Sequence, residues 1–194
     1  MKAVSFLAGL GLLFAALIPL RAQVASPLPP VQTRGGLVAG QVLPSGVRAW
    51  QGIRYAQPPT GERRWAPPQP IRWQGVWNAD RFGPECIQPL RAHTLNQYFG
   101  EIATSEDCLY LNIWAAPQST AASKLPVLVF LHGGGTTVGA GSMLHYSGEH
   151  FARRGAVMVT INYRLRQLGW MAHPELTQEQ GGHSGNYTLQ DMAA

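Results

Sequence analysis

The stretch that decides the fold is LPVLVFLHGGGTTVGAGS, which runs from Leu125 to Ser142. A run of apolar, strand-forming residues ends abruptly at His132, and three consecutive glycines follow it. Glycines cost backbone entropy on folding, so such a run is useful only where a group approaches the backbone closely or the loop bends as no side chain allows. The stretch therefore predicts a buried strand that leads into a loop with a task of its own.

The residues after this loop predict a helix and a second buried strand. SGEHFARRG, at 147–155, is typical of a short helix with Ser147 as N-cap and Gly155 just past its end. AVMVTINY, at 156–163, is the next apolar strand. A strand, a helix and a strand form a βαβ unit with a parallel pair, so the glycines lie at the carboxyl edge of the sheet, where open α/β sheets bind ligands. We expect the strand at 156–163 to expose an unpaired edge.

The residues before the loop predict a hairpin, a coil and one more strand. Residues 37–56 contain two strand-like runs around Pro44-Ser45-Gly46, which predicts an antiparallel hairpin. Residues 57–86 are rich in Pro, Gly and Trp and predict an ordered coil pinned by its tryptophans, which are Trp65, Trp73 and Trp77. DCLYLNIWA, at 107–115, predicts a strand, and GNYTLQDMAA, at 185–194, predicts a helix capped by Asn186.

Composition and charge narrow the class of protein. The chain has 194 residues, enough for one domain, and 45% of them are hydrophobic, as in globular proteins. Its formal charge is +5, but no stripe of Lys and Arg and no basic-aromatic alternation is present. The sequence therefore excludes nucleic acid as a partner.

The first residues have the pattern of a secretory signal peptide. Lys2 precedes an apolar run from Ala3 to Leu20, and the small residues Ala22 and Ala25 follow. The alternative is an uncleaved membrane anchor, since the run is long enough to span a bilayer. We expect a signal peptide at 1–22, an extended lead-in at 23–35 and the folded part at 36–194. The protein would then be secreted or periplasmic, with no stable membrane span after cleavage.

The two cysteines, Cys86 and Cys108, are an even number in a chain expected to be exported, which suggests one disulfide. Two free buried thiols are the alternative. Neither cysteine has a His or Cys neighbour at ligand spacing, and no H-E-x-x-H pattern occurs, so the sequence predicts no metal and no cofactor.

The glycine loop fits one kind of chemistry best. Without Cβ atoms, the N–H groups of Gly134 and Gly135 can point together at one negative oxygen, which is the design of an oxyanion hole for acyl transfer. A phosphate-binding loop is disfavoured, because neither G-x-x-x-x-G-K-[ST] nor G-x-G-x-x-G follows the strand. A tight turn under a packed helix remains the structural alternative.

The chain closely resembles the type-B carboxylesterase family of α/β-hydrolases from Gly36 to Asp191. The resemblance rests on six stretches in the same order: GIRYAQPPTGERRW, WQGVWNADRFGPEC, SEDCLYLNIW, PVLVFLHGGG, VTINYRL and GNYTLQD. HGGG after a strand is also an oxyanion-loop pattern of esterases and lipases. The resemblance implies the N-terminal part of an α/β-hydrolase fold, an incomplete one, with a small antiparallel hairpin followed by the first strands of a mostly parallel central sheet.

The resemblance also implies roles for single residues. Gly134 and Gly135 match the oxyanion donors, while His132 and Gly133 shape the loop. Structural roles fall to a family disulfide and two family ion pairs, which match Cys86 with Cys108, Arg64 with Glu106, and Arg164 with Asp191.

Several residues depart from the family pattern. Thr136 stands where an aromatic residue commonly follows the glycines, Arg166 replaces a Gly, and Thr188 and Met192 replace Gly and Gln. These departures concern the shape of the acyl pocket and local helix packing. The loop between the cysteines contains no Trp, and without that ring the recognition of a quaternary ammonium loses its main support. Choline esters are therefore not the expected substrates.

The family nucleophile, a Ser in G-x-S-x-G, is not found in these residues. The nearest match, GGHSGN around Ser184, has Asn186 where the second Gly belongs, and no apolar strand leads into it. We expect the nucleophile, the acid and the base beyond Ala194. The histidines other than His132, namely His93, His145, His150, His173 and His183, have no spaced partners and are expected at the surface.

Three functions follow from these observations. The first is an exported hydrolase of small-molecule carboxylic esters that works through a serine acyl-enzyme, of which this chain carries the oxyanion loop. The second is a non-catalytic adhesion or binding member of the same fold, and the third is an inactive truncated product. The HGGG loop favours the first, because a binding module has no need of it. The sequence carries no signal for the particular ester or for an oligomeric state.

Overall fold

The computed structural model describes residues 26–89 and 103–194. Its strands are β1 (Ser26–Pro27), β2 (Val31–Gln32), β3 (Leu37–Ala39), β4 (Gln41–Val42), β5 (Arg48–Arg54), β6 (Val76–Asn78), β7 (Glu85–Cys86), β8 (Thr104–Ser105), β9 (Tyr110–Ala115), β10 (Val127–Leu131) and β11 (Val157–Ile161). Its α-helices are α1 (Glu149–Ala152), α2 (Arg166–Trp170), α3 (Pro174–Glu179) and α4 (Tyr187–Ala193), and 3₁₀ turns occur at Gly61–Arg63, Ala121–Ser123 and Leu144–Tyr146. The predicted signal peptide at 1–22 lies outside the described residues.

Six strands form the main sheet in the order β1-β4-β5-β9-β11-β10. β10 and β11 run parallel, in register from Val127 opposite Val157 to Leu131 opposite Ile161, which confirms the predicted parallel pair. The other pairings described in this sheet are antiparallel. There are also two smaller sheets, with the strand orders β2-β3-β6 and β7-β8.

The predicted hairpin is confirmed as the pair β4 and β5. At its turn, the N–H of Gly46 donates to the carbonyl of Leu43, and the N–H of Leu43 donates to the carbonyl of Val47, both at 2.8 Å. Gly46 has φ +81°, a conformation that glycine adopts without steric cost. Because β5 also pairs with β9, the hairpin is continuous with the main sheet.

Trp114 on β9 is the centre of the core beneath α1. It is 1% exposed and packs with Met158 of β11 and Ala152 of α1. This packing corrects the predicted helix start: Gly148, and not Ser147, is the N-cap of α1. A Cβ at Gly148 would lie 2.6 Å from the ring of Trp114, so only glycine fits there. Gly155 lies just past the end of the helix, as predicted.

The edge of the main sheet is β10, so the expectation that the strand at 156–163 would be unpaired is wrong. β11 enters between β9 and β10 and pairs on both sides. On β10, Val127 and Val129 are 59% and 60% exposed on one face, and Leu128 is exposed on the other. The strand that leads into the glycine loop therefore presents both apolar faces to solvent in the described part of the chain.

The predicted coil at 57–86 is fixed by its three tryptophans. Each indole N–H donates to a distant backbone carbonyl: Trp65 to Gln167 at 3.1 Å, Trp73 to Leu37 at 2.9 Å and Trp77 to Gly52 at 2.9 Å. A half-buried indole gains from such a partner, because its N–H would otherwise lose hydration unpaired. The segment also contains the short strands β6 and β7, so it is not entirely coil as predicted.

The helices after β11 are short. α4 begins after Asn186, as predicted, although the Asn186 side chain makes no capping bond. α2 and α3 were not predicted; α3 has Pro174 at its first position, and His173 accepts a hydrogen bond from the N–H of Glu175. Within 26–89 and 103–194, no helix has the length and apolar character needed to cross a membrane.

Candidate active site

The glycine loop has a backbone shape that other residues would disturb. Gly134 has φ +120°, and a Cβ there would lie 2.0 Å from the carbonyl oxygen of Val138. Gly135 has φ +59°, but a Cβ there would meet no atom within 4 Å. Position 134 therefore excludes any side chain by contact, whereas position 135 disfavours one only through its left-handed backbone.

The carbonyl of Gly134 is turned into the loop. It accepts hydrogen bonds from the N–H of Thr137 at 3.1 Å, the N–H of Val138 at 3.3 Å and the hydroxyl of Thr137 at 2.9 Å. By contrast, the N–H groups of Gly134 and Gly135 donate to no other residue in the described part of the chain. The loop fixes its carbonyls and leaves these two donors for a ligand oxygen; their oxyanion role stays a prediction.

His132 lies behind this loop and is buried. Its ring stacks on Tyr163, with centroids 4.2 Å apart and planes 9° apart, and its Nδ1 is 2.9 Å from the carbonyl oxygen of Gly133. The Tyr163 hydroxyl donates to the His132 carbonyl. Burial lowers the pKa of His132 to about 4, so the ring is neutral at pH 7. His132 therefore packs against the start of the loop as a neutral ring, and its role in shaping the loop stays a prediction.

Gln88, which no sequence pattern indicated, holds the loop through its side-chain amide. Its amide makes two hydrogen bonds to the backbone of Gly139: Nε2 donates to the carbonyl at 2.9 Å, and Oε1 accepts from the N–H at 2.7 Å. A Cβ at Gly139 would lie 2.4 Å from Nδ1 of His132. Cys86, two residues before Gln88, forms the predicted disulfide with Cys108. The disulfide and the loop are therefore connected through one buried amide.

A buried polar network joins the loop to β9 and β11. The N–H of Gly141 donates to Asn162 Oδ1 at 2.8 Å, and the carbonyl of Gly141 accepts from the hydroxyl of Thr160 at 2.7 Å. Asn112 Nδ2 donates to Thr160 Oγ1 at 3.0 Å. Asparagines inside apolar strands were the available sequence signal for this network, because a buried amide requires partners.

The two ion pairs implied by the resemblance differ in burial. Arg64 contacts Glu106 through Nε at 2.6 Å and Nη2 at 2.8 Å at a half-buried site. Arg164 contacts Asp191 through Nε at 2.8 Å and Nη2 at 2.7 Å, and both side chains are almost fully buried. Nη1 of Arg164 also donates to the carbonyls of Arg64 and Ala66. A buried pair with so many hydrogen bonds is a structural element.

Two departures from the family pattern meet beside the glycines. Thr136 and Arg166 have φ +55° and +54°, and the N–H of Arg166 donates to the Thr136 carbonyl at 2.9 Å. A left-handed conformation costs a residue with a side chain about 1 kcal/mol. Both residues line an open cleft of about 380 Å³ that also includes Gln167, Trp170 and Met171.

The departure at Thr188 has a local explanation. Its hydroxyl donates to the carbonyl of Arg164 at 2.5 Å. A Cβ at Gly169 would lie 2.0 Å from this hydroxyl, so the threonine fits only because residue 169 is glycine. Met192 packs against the buried cluster that contains Leu109 and Ile161.

The hydroxyl of Ser184 contacts no general base among the described residues, although a catalytic nucleophile would contact one. Its hydroxyl lies 2.6 Å from that of Thr177 and otherwise contacts the backbone N–H and carbonyl of His173, not the imidazole ring. His145, His150, His173 and His183 are exposed, as predicted, while His93 lies outside the described residues. The described ranges contain no group of three or more potential metal ligands.

Comparison with known proteins shows the family. A model of the carboxylesterase family matches residues 27–194. The chain is 43% identical over 185 residues to the fumonisin B1 esterase of Sphingopyxis macrogoltabida, and 40% identical over 166 residues to the para-nitrobenzyl esterase of Bacillus subtilis (strain 168). These alignments cover 94% and 84% of this chain, but 33% and 32% of those proteins. The chain belongs to the carboxylesterase family and spans about a third of the length of these curated relatives.

Solved structures agree with this assignment. A PNB esterase structure superposes with a TM-score of 0.74 at 38% identity and covers 84% of this chain and 33% of its own. A thermophilic PNB esterase gives the same values. The architecture described above is therefore part of the α/β-hydrolase fold, as the resemblance implied.

Proposed function

We propose that these residues form the oxyanion-binding part of an exported serine hydrolase that cleaves small-molecule carboxylic esters. The observation that carries the proposal is the pair of N–H groups of Gly134 and Gly135, which bond to no other described residue and follow a strand of the α/β-hydrolase fold. Membership of the carboxylesterase family supports the reaction class. Export is supported by the pattern of Lys2 and the apolar run after it.

The loop has a defined task in this reaction. A serine hydroxyl attacks the ester carbonyl carbon, its proton passes to a base, and the carbonyl oxygen becomes an alkoxide. The two glycine N–H groups stabilise this negative charge, which is larger in the tetrahedral intermediate than in the ester. The alcohol then leaves with a proton, and water hydrolyses the acyl-enzyme. We place the serine outside these 194 residues, because none of their serines lies in G-x-S-x-G.

A serine-directed fluorophosphonate tests this proposal on the native polypeptide that contains the chain. We expect one stoichiometric adduct, located by peptide mass spectrometry on a serine that is not among residues 1–194, together with hydrolysis of 4-nitrophenyl acetate. An adduct on Ser184 would overturn our placement of the nucleophile. No adduct and no hydrolysis would favour the non-catalytic binding member of the family.

Two substitutions at Gly135 test the loop itself. Gly135→Ala keeps the N–H, and its Cβ meets open space, whereas Gly135→Pro removes the N–H and cannot adopt φ +59°. Loss of one oxyanion donor lowers kcat about 10²-fold or more. We expect this loss for proline, with a smaller change in KM and a much smaller loss for alanine. If both folded variants have similar kcat, the loop is not the oxyanion hole.

A further inference from the structure

Arg166 stands in the cleft beside the glycine loop without a structural reason. It is exposed, and its guanidinium makes no ion pair and no hydrogen bond with any residue in 26–89 or 103–194. It also occupies a left-handed backbone position with φ +54°. Strained residues of this kind cluster at functional sites, where the strain serves a ligand and not the fold.

The contacts of the cleft leave few donors for a ligand. The hydroxyl of Thr136 donates to the Gly135 carbonyl at 2.7 Å, and that of Thr137 donates to the Gly134 carbonyl. Their protons are therefore committed to the loop. The side chains that remain as donors are the guanidinium of Arg166, the amide of Gln167 and the indole N–H of Trp170. Arg166 is the one ionisable residue in the cleft lining.

The walls of the cleft indicate the rest of the ligand. Trp170 and Met171 provide an apolar surface beside Arg166, and Trp170 is 37% exposed. Thr136 follows Gly135 directly, so a carbonyl held by the glycine N–H groups would lie close to this cleft. A short carbon chain that runs from that carbonyl along the apolar wall would bring its far end to the guanidinium.

We propose that this cleft recognises a carboxylate carried by the substrate, so that the preferred esters are anionic and Arg166 determines the preference. A guanidinium binds a carboxylate through two parallel N–H bonds, and one cation matches its single negative charge, whereas a phosphate would retain excess charge. The proposal rests on the proposed ester hydrolysis and names the substrate class of the same site.

A matched pair of esters tests the preference in the native polypeptide. Mono-4-nitrophenyl adipate has a free carboxylate, and its methyl ester has the same carbon chain without the charge. We expect the ratio of kcat/KM for these two esters to fall about tenfold in Arg166→Gln, as for loss of a charged hydrogen bond at an exposed site. Added salt should lower the ratio in the wild type and not in the variant.

Two further variants serve as controls for the ratio of kcat/KM between the two esters. Arg166→Gly removes the charge and relieves the left-handed strain, so it must lower the ratio in the same way. Arg72→Gln removes an exposed arginine that does not line the cleft, and it must keep the wild-type ratio. Equal ratios in the wild type and Arg166→Gln, with hydrolysis intact, would overturn the inference and leave the proposed function standing.

Binding of adipate gives a readout that does not depend on turnover. Calorimetric titration should detect binding to the wild type and to Arg72→Gln, weaker binding at high salt, and about tenfold weaker binding to Arg166→Gln. No binding to the wild type would overturn the inference. Binding of adipate without any ester hydrolysis or fluorophosphonate adduct would support the carboxylate site and contradict the proposed function.

Discussion

Arg164 and Arg166 lie two residues apart and have opposite environments. Arg164 is buried, and Asp191 and two backbone carbonyls satisfy its guanidinium. Arg166 lies beside the loop, where its backbone N–H bonds to the Thr136 carbonyl, and its exposed guanidinium has no partner in the described ranges. The comparison shows how the same side chain serves two purposes: a buried and fully bonded cation supports the fold, whereas an exposed and strained one is available for recognition.

The backbone of the loop repeats this division. Later in the loop, the N–H groups of Gly139 and Gly141 bond to the side chains of Gln88 and Asn162. Gly134 and Gly135 have N–H groups that bond to no other described residue. Because the bonds of Gly139 and Gly141 hold the loop rigidly, the N–H groups of Gly134 and Gly135 can stay in place without partners. A preorganised oxyanion hole requires this.

The largest loss of stability is expected when the counterion of the buried Arg164, Asp191, is removed. Asp191→Ala leaves the Arg164 guanidinium buried without its counterion, which lowers the free energy of unfolding by about 3–5 kcal/mol. Asp80→Ala is the matched control, because Asp80 pairs with Arg81 at the surface, and its loss costs at most about 1 kcal/mol. Urea unfolding of both variants measures the two values. Equal losses would contradict the structural role assigned to Arg164.

Acid should lower the stability of the fold through the buried His132. Its pKa is lowered from 6.5 to about 4 by burial, so folding favours the neutral ring. This contribution to stability is complete above pH 6.5 and is lost progressively as the pH falls from 6.5 through 4. The stability lost by pH 4 amounts to about 3 kcal/mol. His132→Gln should therefore lose less stability than the wild type between pH 7 and pH 4 in urea unfolding, while the exposed His183→Gln should follow the wild type. Parallel curves for the wild type and His132→Gln would refute the buried neutral ring.

Substitutions at the exposed Arg166 should have the smallest effect on the free energy of unfolding. Arg166→Gly relieves the left-handed conformation but increases the entropy of the unfolded chain, so the free energy of unfolding changes by less than about 1 kcal/mol. Arg166→Ala keeps the backbone strain and should be no more stable than the glycine variant. The urea midpoints of both variants decide this. A loss above 1 kcal/mol in Arg166→Gly would show that the Arg166 side chain supports the fold.

The fold was predictable where a pattern is long and apolar. β10 and β11 were clear because each is a run of apolar residues with a helix between them. That β10 forms the edge was not predictable. An apolar run indicates that both faces of a strand are buried in the complete fold, but it does not indicate the position of the strand in the sheet. β6 was missed because its three residues, Val76–Asn78, are too few to show a period. His173 before Pro174 was a usable signal for α3.

The candidate site was predictable only in part. The glycine run suggested the donors, because only glycine allows such a loop, and the ion pairs came from the family resemblance. Gln88 and Thr160 were not found, because a polar residue in a strand or coil does not reveal which distant backbone group it will meet. Arg166 was noted as a departure from the family, but its position beside Thr136 required the structure.

The coil at Arg64–Ala66 also bears on how the molecule folds. Its carbonyls accept hydrogen bonds from Arg164, 100 and 98 residues away, and from Gln180, 115 residues away, while the Trp65 indole donates to Gln167. Closing loops of this length costs entropy before any contact rewards it, so such contacts form slowly. The docking of this coil onto the residues after β11 should therefore be a late folding event, and the rate at which Trp65 becomes buried should measure it.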